Sequence, residues 1–264
     1  MLKVGAAIVI VMALAAFVGP AMTSDDPALQ ALPLRLASPS GSHPFGLDEL
    51  GRDILTRVLV GGRVSFFVAI VVVSVSALVG TLLGSIAGYF GGWLDEAVSR
   101  LTDTLMAFPG LLLAIALVAV LGPSLGNVVF ALTIIGWVGY ARLVRGHVLR
   151  AREFEYVQAA RALGAPASRI LLRHVVPTAL PAVVVQATLG MAGAIIGESA
   201  LSFLGLGVQP PAPSWGTMLN GGRAHLLDAP HLTIFPGLAI ALLVLGFNFV
   251  GDGLRDFADP KRRR

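Results

Sequence analysis

From Thr104 to Ala141 the chain carries no Asp, Glu, Lys or Arg. A helix needs about 20 apolar residues, at 1.5 Å each, to cross roughly 30 Å of hydrocarbon. The stretch is too long for one crossing, and Gly122-Pro123-Ser124 with Gly126-Asn127 divides it into two antiparallel spans around a tight turn. Pro109 falls in the first turns of the earlier span, where its missing N–H costs little and predicts a slight kink at most. Other apolar runs extend from Val4 to Met22, from just after Arg63 to Phe90, from Val175 to Gly197 and from Leu232 to Gly251. The reading is an all-α membrane protein with about six transmembrane helices. With 56% hydrophobic and 13% charged residues and a mean hydropathy of +0.83, a soluble domain could not hide this apolar surface. Gly80, Gly84 and Gly88 form a small-residue stripe of the kind that lets membrane helices approach closely.

Val4–Met22 follows one lysine and also has features of a cleaved signal peptide. Its apolar run is long and no A-x-A site follows, so a retained helix is the expectation. The chain then divides into residues 1–63, an N-terminal helix with an extracytoplasmic segment, and residues 64–264, a transmembrane domain.

The basic residues orient these spans. With the amino terminus inside, fourteen of the 19 lysines and arginines gather on the inner side: Lys3, Arg100, seven between Arg142 and Arg173, Arg255 and the Lys261–Arg264 tail. Arg35, Arg52, Arg57, Arg63 and Arg223 fall outside. The positive-inside bias therefore places both termini and the 146–176 loop in the cytoplasm. Arg142 and Arg145 are expected to snorkel at the end of the fourth span, and the tail suits anionic lipid. The high pI of 10.1 fits this membrane role better than nucleic-acid binding, because the arginines flank apolar spans instead of interleaving with aromatic residues.

The inner loop holds a charged island, EFEYVQAARALGAPASRILLRHVVP, between long hydrocarbon stretches. Glu153–Leu163 is rich in helix formers. Gly164 stands where a helix end favours a left-handed residue, and Pro166 where the next helix begins. Two short helices around a tight corner are expected. On the outer side, Asp48, Glu49, Arg52 and Asp53 alternate in sign, which suits a short surface helix with local ion pairs.

Glu198 follows 23 uncharged residues and neighbours Ser199 and Ser202. A carboxylate beside hydrocarbon needs water or a partner. It is a candidate for sealing an outer gate or bonding the turn that follows, against the plainer reading of a water-exposed interfacial carboxylate. Residues 205–231 contain Pro210, Pro211 and Pro213 and so fold as short pieces, with Trp215 expected at the membrane interface. His43, His225 and His231 lack compact ligand spacing, and no metal ligand is assigned. Without cysteine there is neither a disulfide framework nor a thiolate metal site.

A P-loop needs Gly-Lys-Ser/Thr after a glycine-rich turn, and neither Lys3 nor Lys261 follows a glycine. The chain is thus read as a non-enzyme. The span centres lack the ionisable residues of a proton-coupled carrier, and no intramembrane His/Glu or Ser/His arrangement suggests an enzyme.

QAARALG at 158–164, with Pro177 thirteen positions after Gly164, resembles the EAA-x3-G…P loop of permease subunits from binding-protein-dependent ABC importers. The broad consensus has Glu where this chain has Gln158, and an aliphatic residue where it has His174. HPFGLDELGRDILTRVLVGGRVS, GYFGGWLDEAVSRLTDTLMAFPGLLLAIALVAVLGP, GESALSFLGLGVQPPAPSWGTMLNGGR and FNFVGDGLRDFADP extend the likeness over nearly the whole chain. Together they are similar to the second, shorter permease subunit of dipeptide, oligopeptide and nickel transporters. The resemblance implies the ABC importer permease fold in a prokaryotic cell membrane. It also implies a second permease subunit, two ATPase subunits carrying ATP and Mg, and an extracytoplasmic binding protein that delivers peptide or, alternatively, nickel or another solute. It further implies a coupling loop of Glu155, Gln158, Ala159, Ala160, Arg161, Gly164 and Pro177 seated in an ATPase cleft. Ala159 and Ala160 would allow close approach, and Glu155 and Arg161 would fix the loop in its socket. Asp48, Gly51, Arg52 and Asp53 would lie at the extracytoplasmic mouth, with Glu198 and Ser199 at an outer gate.

Overall fold

The computed structural model describes residues 1–23 and 26–258, so the Lys261–Arg264 tail lies outside the described residues. The helices are α1 (Leu2–Phe17), α2 (Ile54–Phe90), α3 (Gly92–Met106), α4 (Gly110–Leu121), α5 (Leu125–Ala151), α6 (Glu155–Ala162), α7 (Ala167–Phe203), α8 (Trp215–Gly222) and α9 (His231–Ala258). Extended pairing among the described residues is one antiparallel bridge between Leu47 and Asp53.

Four helices, α2, α5, α7 and α9, are each long and apolar enough to cross a membrane, and α3 with α4 makes a fifth if a bent pair counts as one span. Six were expected. The difference is α1, whose 16 residues reach about 24 Å at 1.5 Å each; past Val18 it continues into a one-turn helix, Gly19–Met22.

Pro109 does far more than kink its span. It breaks the helix, and α3 and α4 meet at 87°. Its ring cannot donate to the carbonyl one turn back, and it pushes Phe108 away from helical geometry. Pro109 itself is extended, with ψ 121°, and caps α4. Arg145 and Arg142, expected to snorkel, instead pair with acidic residues of α3. Arg145 Nη2 donates to Asp95 Oδ2 at 2.7 Å, and Arg142 pairs with Asp103.

The glycine stripe on α2 meets α5 backbone to backbone. A Cβ at Gly80 would lie 2.5 Å from the Trp137 carbonyl oxygen, one at Gly84 would collide with the backbone of Ala141, and one at Gly88 would sit 3.0 Å from the Arg145 carbonyl oxygen. The same device joins α1 to α9, where a Cβ at Gly5 would fall 2.7 Å from the carbonyl oxygen of Gly246. Four buried apolar clusters occur among the described residues. One of the two larger ones packs Ile54, Ile195, Trp215, Leu232 and Leu243 together; the other joins Val144, Val148, Val157, Ile170 and Val175 of α5, α6 and α7.

The alternating helix directions put Lys3, residues 152–166 and Arg255 at one end of the bundle. Residues 35–53, 122–124 and 204–230 lie at the other. α2 starts at Ile54, about ten residues before the expected span, because Asp53 Oδ1 accepts the Thr56 N–H at 2.8 Å and caps the helix. The fifth span is also longer than expected, reaching from Ala167 to Phe203.

Candidate functional site: a loop welded to α7 and a carboxylate at its far end

The charged island forms two helical pieces around a corner. α6 ends in a Schellman motif: Gly164, at φ +79°, donates to the Arg161 carbonyl at 3.0 Å, and Ala165 donates to the Ala160 carbonyl at 3.1 Å. Pro166 caps the next helix from outside, with ψ 147°, one position earlier than its expected place as first helical residue.

The loop has an anchored side and a free side. Val157, Ile170 and Val175 are buried against Val144 and Val148 of α5. The Tyr156 hydroxyl donates to the His174 carbonyl at 3.3 Å, and Arg152 Nη1 donates to the Gly88 carbonyl at 3.1 Å, tying the loop to the end of α2. Glu155, Gln158, Ala159, Arg161, Gly164 and Pro177 are exposed, and Ala160 is half-buried. Gln158 donates to the Glu153 carbonyl at 3.2 Å, whereas Glu155 and Arg161 make no ion pair among the described residues.

The loop's second helix runs unbroken into the long span. Leu171–Val175 winds as a wider π-helical turn in which Val176 N–H donates to the Leu171 carbonyl, and helix continues to Phe203. The wider turn stands immediately before Pro177, whose ring would clash with the carbonyl one ordinary turn back.

Glu198 sits near the far end of α7 and is 0% exposed, so it is no water-exposed interfacial carboxylate. Its Oε1 accepts the Ser202 hydroxyl at 2.7 Å and its Oε2 the Ser199 hydroxyl at 3.4 Å, and Ser214 stands close by. Ser214 and Thr217 form a capping box that starts α8. Trp215, expected at the interface, is 1% exposed instead; its indole N–H donates to the Val58 carbonyl at 2.8 Å, which satisfies the one polar group of the ring inside the bundle.

The outer acidic and basic cluster is a knot, not the expected surface helix. Asp48 Oδ1 accepts the backbone N–H groups of Leu50 and Arg52, both at 2.9 Å. Its Oδ2 accepts Arg52 Nε at 2.7 Å and stands 3.5 Å from Arg57 Nε. Asp53 Oδ2 lies 3.0 Å from His43 Nδ1. Gly51 takes φ +72° with Ala31 so close that a Cβ would strike its carbonyl. Asp48, Arg52, Asp53 and Arg57 are all buried. A carboxylate that bonds backbone N–H groups stabilises a turn, and that competes with helix locally. Arg57, which the sequence reading left without a role, also donates to the Pro27 carbonyl at 2.7 Å. His231 is buried 3.4 Å from the Leu47 carbonyl oxygen.

The family described as binding-protein-dependent transport system inner membrane component matches residues 80–264. The chain is 46% identical over 260 residues to the dipeptide transport system permease protein DppC of Alkalihalophilus pseudofirmus, covering 98% of this chain and 86% of that one. It is 51% identical over 223 residues to the glutathione transport system permease protein GsiD of Escherichia coli, covering 84% of this chain and 74% of that protein. The fold is shared with a chain of the MetNI methionine ABC transporter in an inward-facing conformation, with a TM-score of 0.62 at 19% identity, over 77% of this chain and 97% of that one.

Proposed function

This chain belongs to the family of binding-protein-dependent transport system inner membrane components, and from that premise we propose how its loop drives import and what it carries. It is a permease subunit of an ABC importer, and the substrates are short peptides, the class to which the names of the dipeptide and glutathione permeases point. A second permease subunit completes the pathway. Two ATPase subunits, carrying ATP and Mg, sit at the 152–166 end on the cytoplasmic side, and a binding protein delivers substrate to the 204–230 end. Both termini are then cytoplasmic.

One observation carries the mechanism: the loop's second helix runs without a break into the long span, from Ala167 to Phe203. ATPase closure pushes on Glu155, Ala159 and Arg161. The corner at Gly164 and the buried anchors Val157 and Ile170 pass the displacement into a helix that reaches Glu198, Ser199 and Ser202 at the far end. Glu198 and Ser199 hold the outer closure together where α7 packs against the start of α8, and the Asp48, Gly51, Arg52 and Asp53 knot gives the mouth a fixed rim for the binding protein. Nickel is the weaker reading, since the relatives are named for dipeptide and glutathione transport.

The test uses the absence of cysteine from the chain. An Ala159→Cys variant in the assembled importer should crosslink to an ATPase subunit through a short thiol-reactive reagent. A complex that assembles but crosslinks only from the 35–53 segment would reverse the proposed docking.

A further inference from the structure

Two cavities lie along one groove between α5 and α7. The first, about 360 Å³, is lined by Ser76, Tyr140, Gly190 and Gly193. The second, about 560 Å³, is lined by His147, Thr178 and Arg255 at the 152–166 end. Each volume falls in the range of roughly 300–1,000 Å³ common for small-molecule sites. Gln186 is the one lining residue the two share.

Gln186 stands near the middle of α7 and is exposed. Its backbone carbonyl accepts the Tyr140 hydroxyl at 3.4 Å, but its side-chain amide has no hydrogen-bond partner among the described residues. Facing lipid, an amide at that depth has nothing to bond, so such groups turn to protein or to a water-filled cavity. The groove around it stays open by the use of glycine. A Cβ at Gly193 would meet no atom within 4 Å, and one at Gly139 would meet only Gln186 Nε2, at 3.9 Å.

We infer that the α5–α7 groove is this subunit's half of the translocation pathway and that Gln186 is its polar contact for the passing solute. The inference rests on the importer reading and deepens it. The two cavity linings include no Asp or Glu; their ionisable groups are Tyr140, His147 and Arg255. A carboxamide both donates and accepts, which matches a peptide group, and the cationic inner mouth suits a terminal carboxylate. A divalent cation would find no anionic ligand there.

In membranes containing the whole importer, single-cysteine variants are treated with methanethiosulfonate ethylsulfonate, an anionic water-soluble reagent whose sulfenyl sulfur a thiolate attacks, forming a mixed disulfide and releasing methanesulfinate. Gln186→Cys and Gly193→Cys should react about tenfold faster than Val184→Cys on another face of α7, the effect of one pKa unit on the thiolate fraction. Equal or slower reaction would mean that lipid or the second permease covers the groove, and the assignment falls. Co-purification of ATPase subunits is read on the same membranes. If they accompany the chain while the three rates are equal, the groove alone is overturned; if they are missing, the importer reading fails, and a rate difference still marks a wet groove. Uptake of dialanine then tests the polar contact. Gln186→Leu should lower it about tenfold, the worth of one net hydrogen bond, with ATPase co-purification unchanged. Unaltered uptake overturns the role of Gln186, whereas wild-type cells that take up no dialanine overturn the peptide reading itself.

Discussion

Ser202 donates its hydroxyl to Glu198 Oε1 at 2.7 Å, one helical turn further along α7. Ser199 brings a second hydroxyl to the same carboxyl group, at the place where α7 packs so closely on α8 that a Cβ at Gly216 would fall 2.3 Å from the Ser199 carbonyl oxygen. Glu198→Ala leaves those hydroxyls without their acceptor, at about 1–3 kcal/mol. We expect impaired uptake with the complex still assembled, and Glu198→Gln, which keeps an acceptor oxygen, to retain most activity. Thermal unfolding of the purified complex alongside uptake checks both; wild-type transport by Glu198→Ala would remove the special role.

Gly164→Val separates the corner from the rest of the loop. No atom lies within 4 Å of a Cβ there, so the cost is the positive φ alone, about 1–2 kcal/mol for a side-chain-bearing residue. Expression should persist, while ATPase docking and uptake fall. Gly164→Asn, which tolerates the left-handed region better, should be milder. Complex yield and substrate-stimulated ATP hydrolysis are the measurements.

Gly84→Val attacks the fold instead. Its side chain would enter the backbone of Ala141, and overpacking of this kind costs about 1–3 kcal/mol or more. Gly146→Ala, with nothing within 4 Å of the added Cβ, is the control. Melting in detergent should drop for Gly84→Val and stay near wild type for the control.

Asp48→Ala takes the shared carboxylate from two buried guanidinium groups, leaving Arg52 with Glu49 at 3.6 Å and Arg57 with the Pro27 carbonyl. Removing one partner of a buried ion pair costs about 3–5 kcal/mol. Asp53→Ala, which removes a helix cap, should cost nearer 1 kcal/mol. Limited proteolysis of the 27–53 segment should rank the two variants in that order.

Leu163 is 89% exposed at the tip of the loop. A Leu163→Cys variant should resist an impermeant thiol reagent applied to intact cells and react in inside-out vesicles. Modification in intact cells would turn the proposed orientation over.

The apolar spans were legible because hydropathy needs no partner: bilayer-length runs are visible in one dimension. The Gly164 corner was legible too, since a left-handed helix end is a local requirement of the backbone. The misread elements depend on what touches them in space. Asp48, Glu49, Arg52 and Asp53 alternate like a surface helix, yet Asp48 bonds backbone N–H groups that a helix would have used. Pro109 was visible, but whether a proline kinks or breaks a helix depends on the packing around it. Glu198 was open to the reading of a water-exposed carboxylate because its burial against the Ser199 and Ser202 hydroxyls cannot be seen in hydropathy. Gln186 went unremarked, although a lone carboxamide inside an apolar run is a signal that could have found it.

The wide turn at Leu171–Val175 also sets the phase of everything beyond it. A helix advances about 100° per residue, so the extra residue in that turn dials the azimuth of α7 relative to the loop. Deleting one position there would leave the helix equally apolar and nearly as long, yet aim Gln186 and Gly193 at a different neighbour. The side of the cylinder that meets the solute is thus chosen five residues at a time, at its cytoplasmic root.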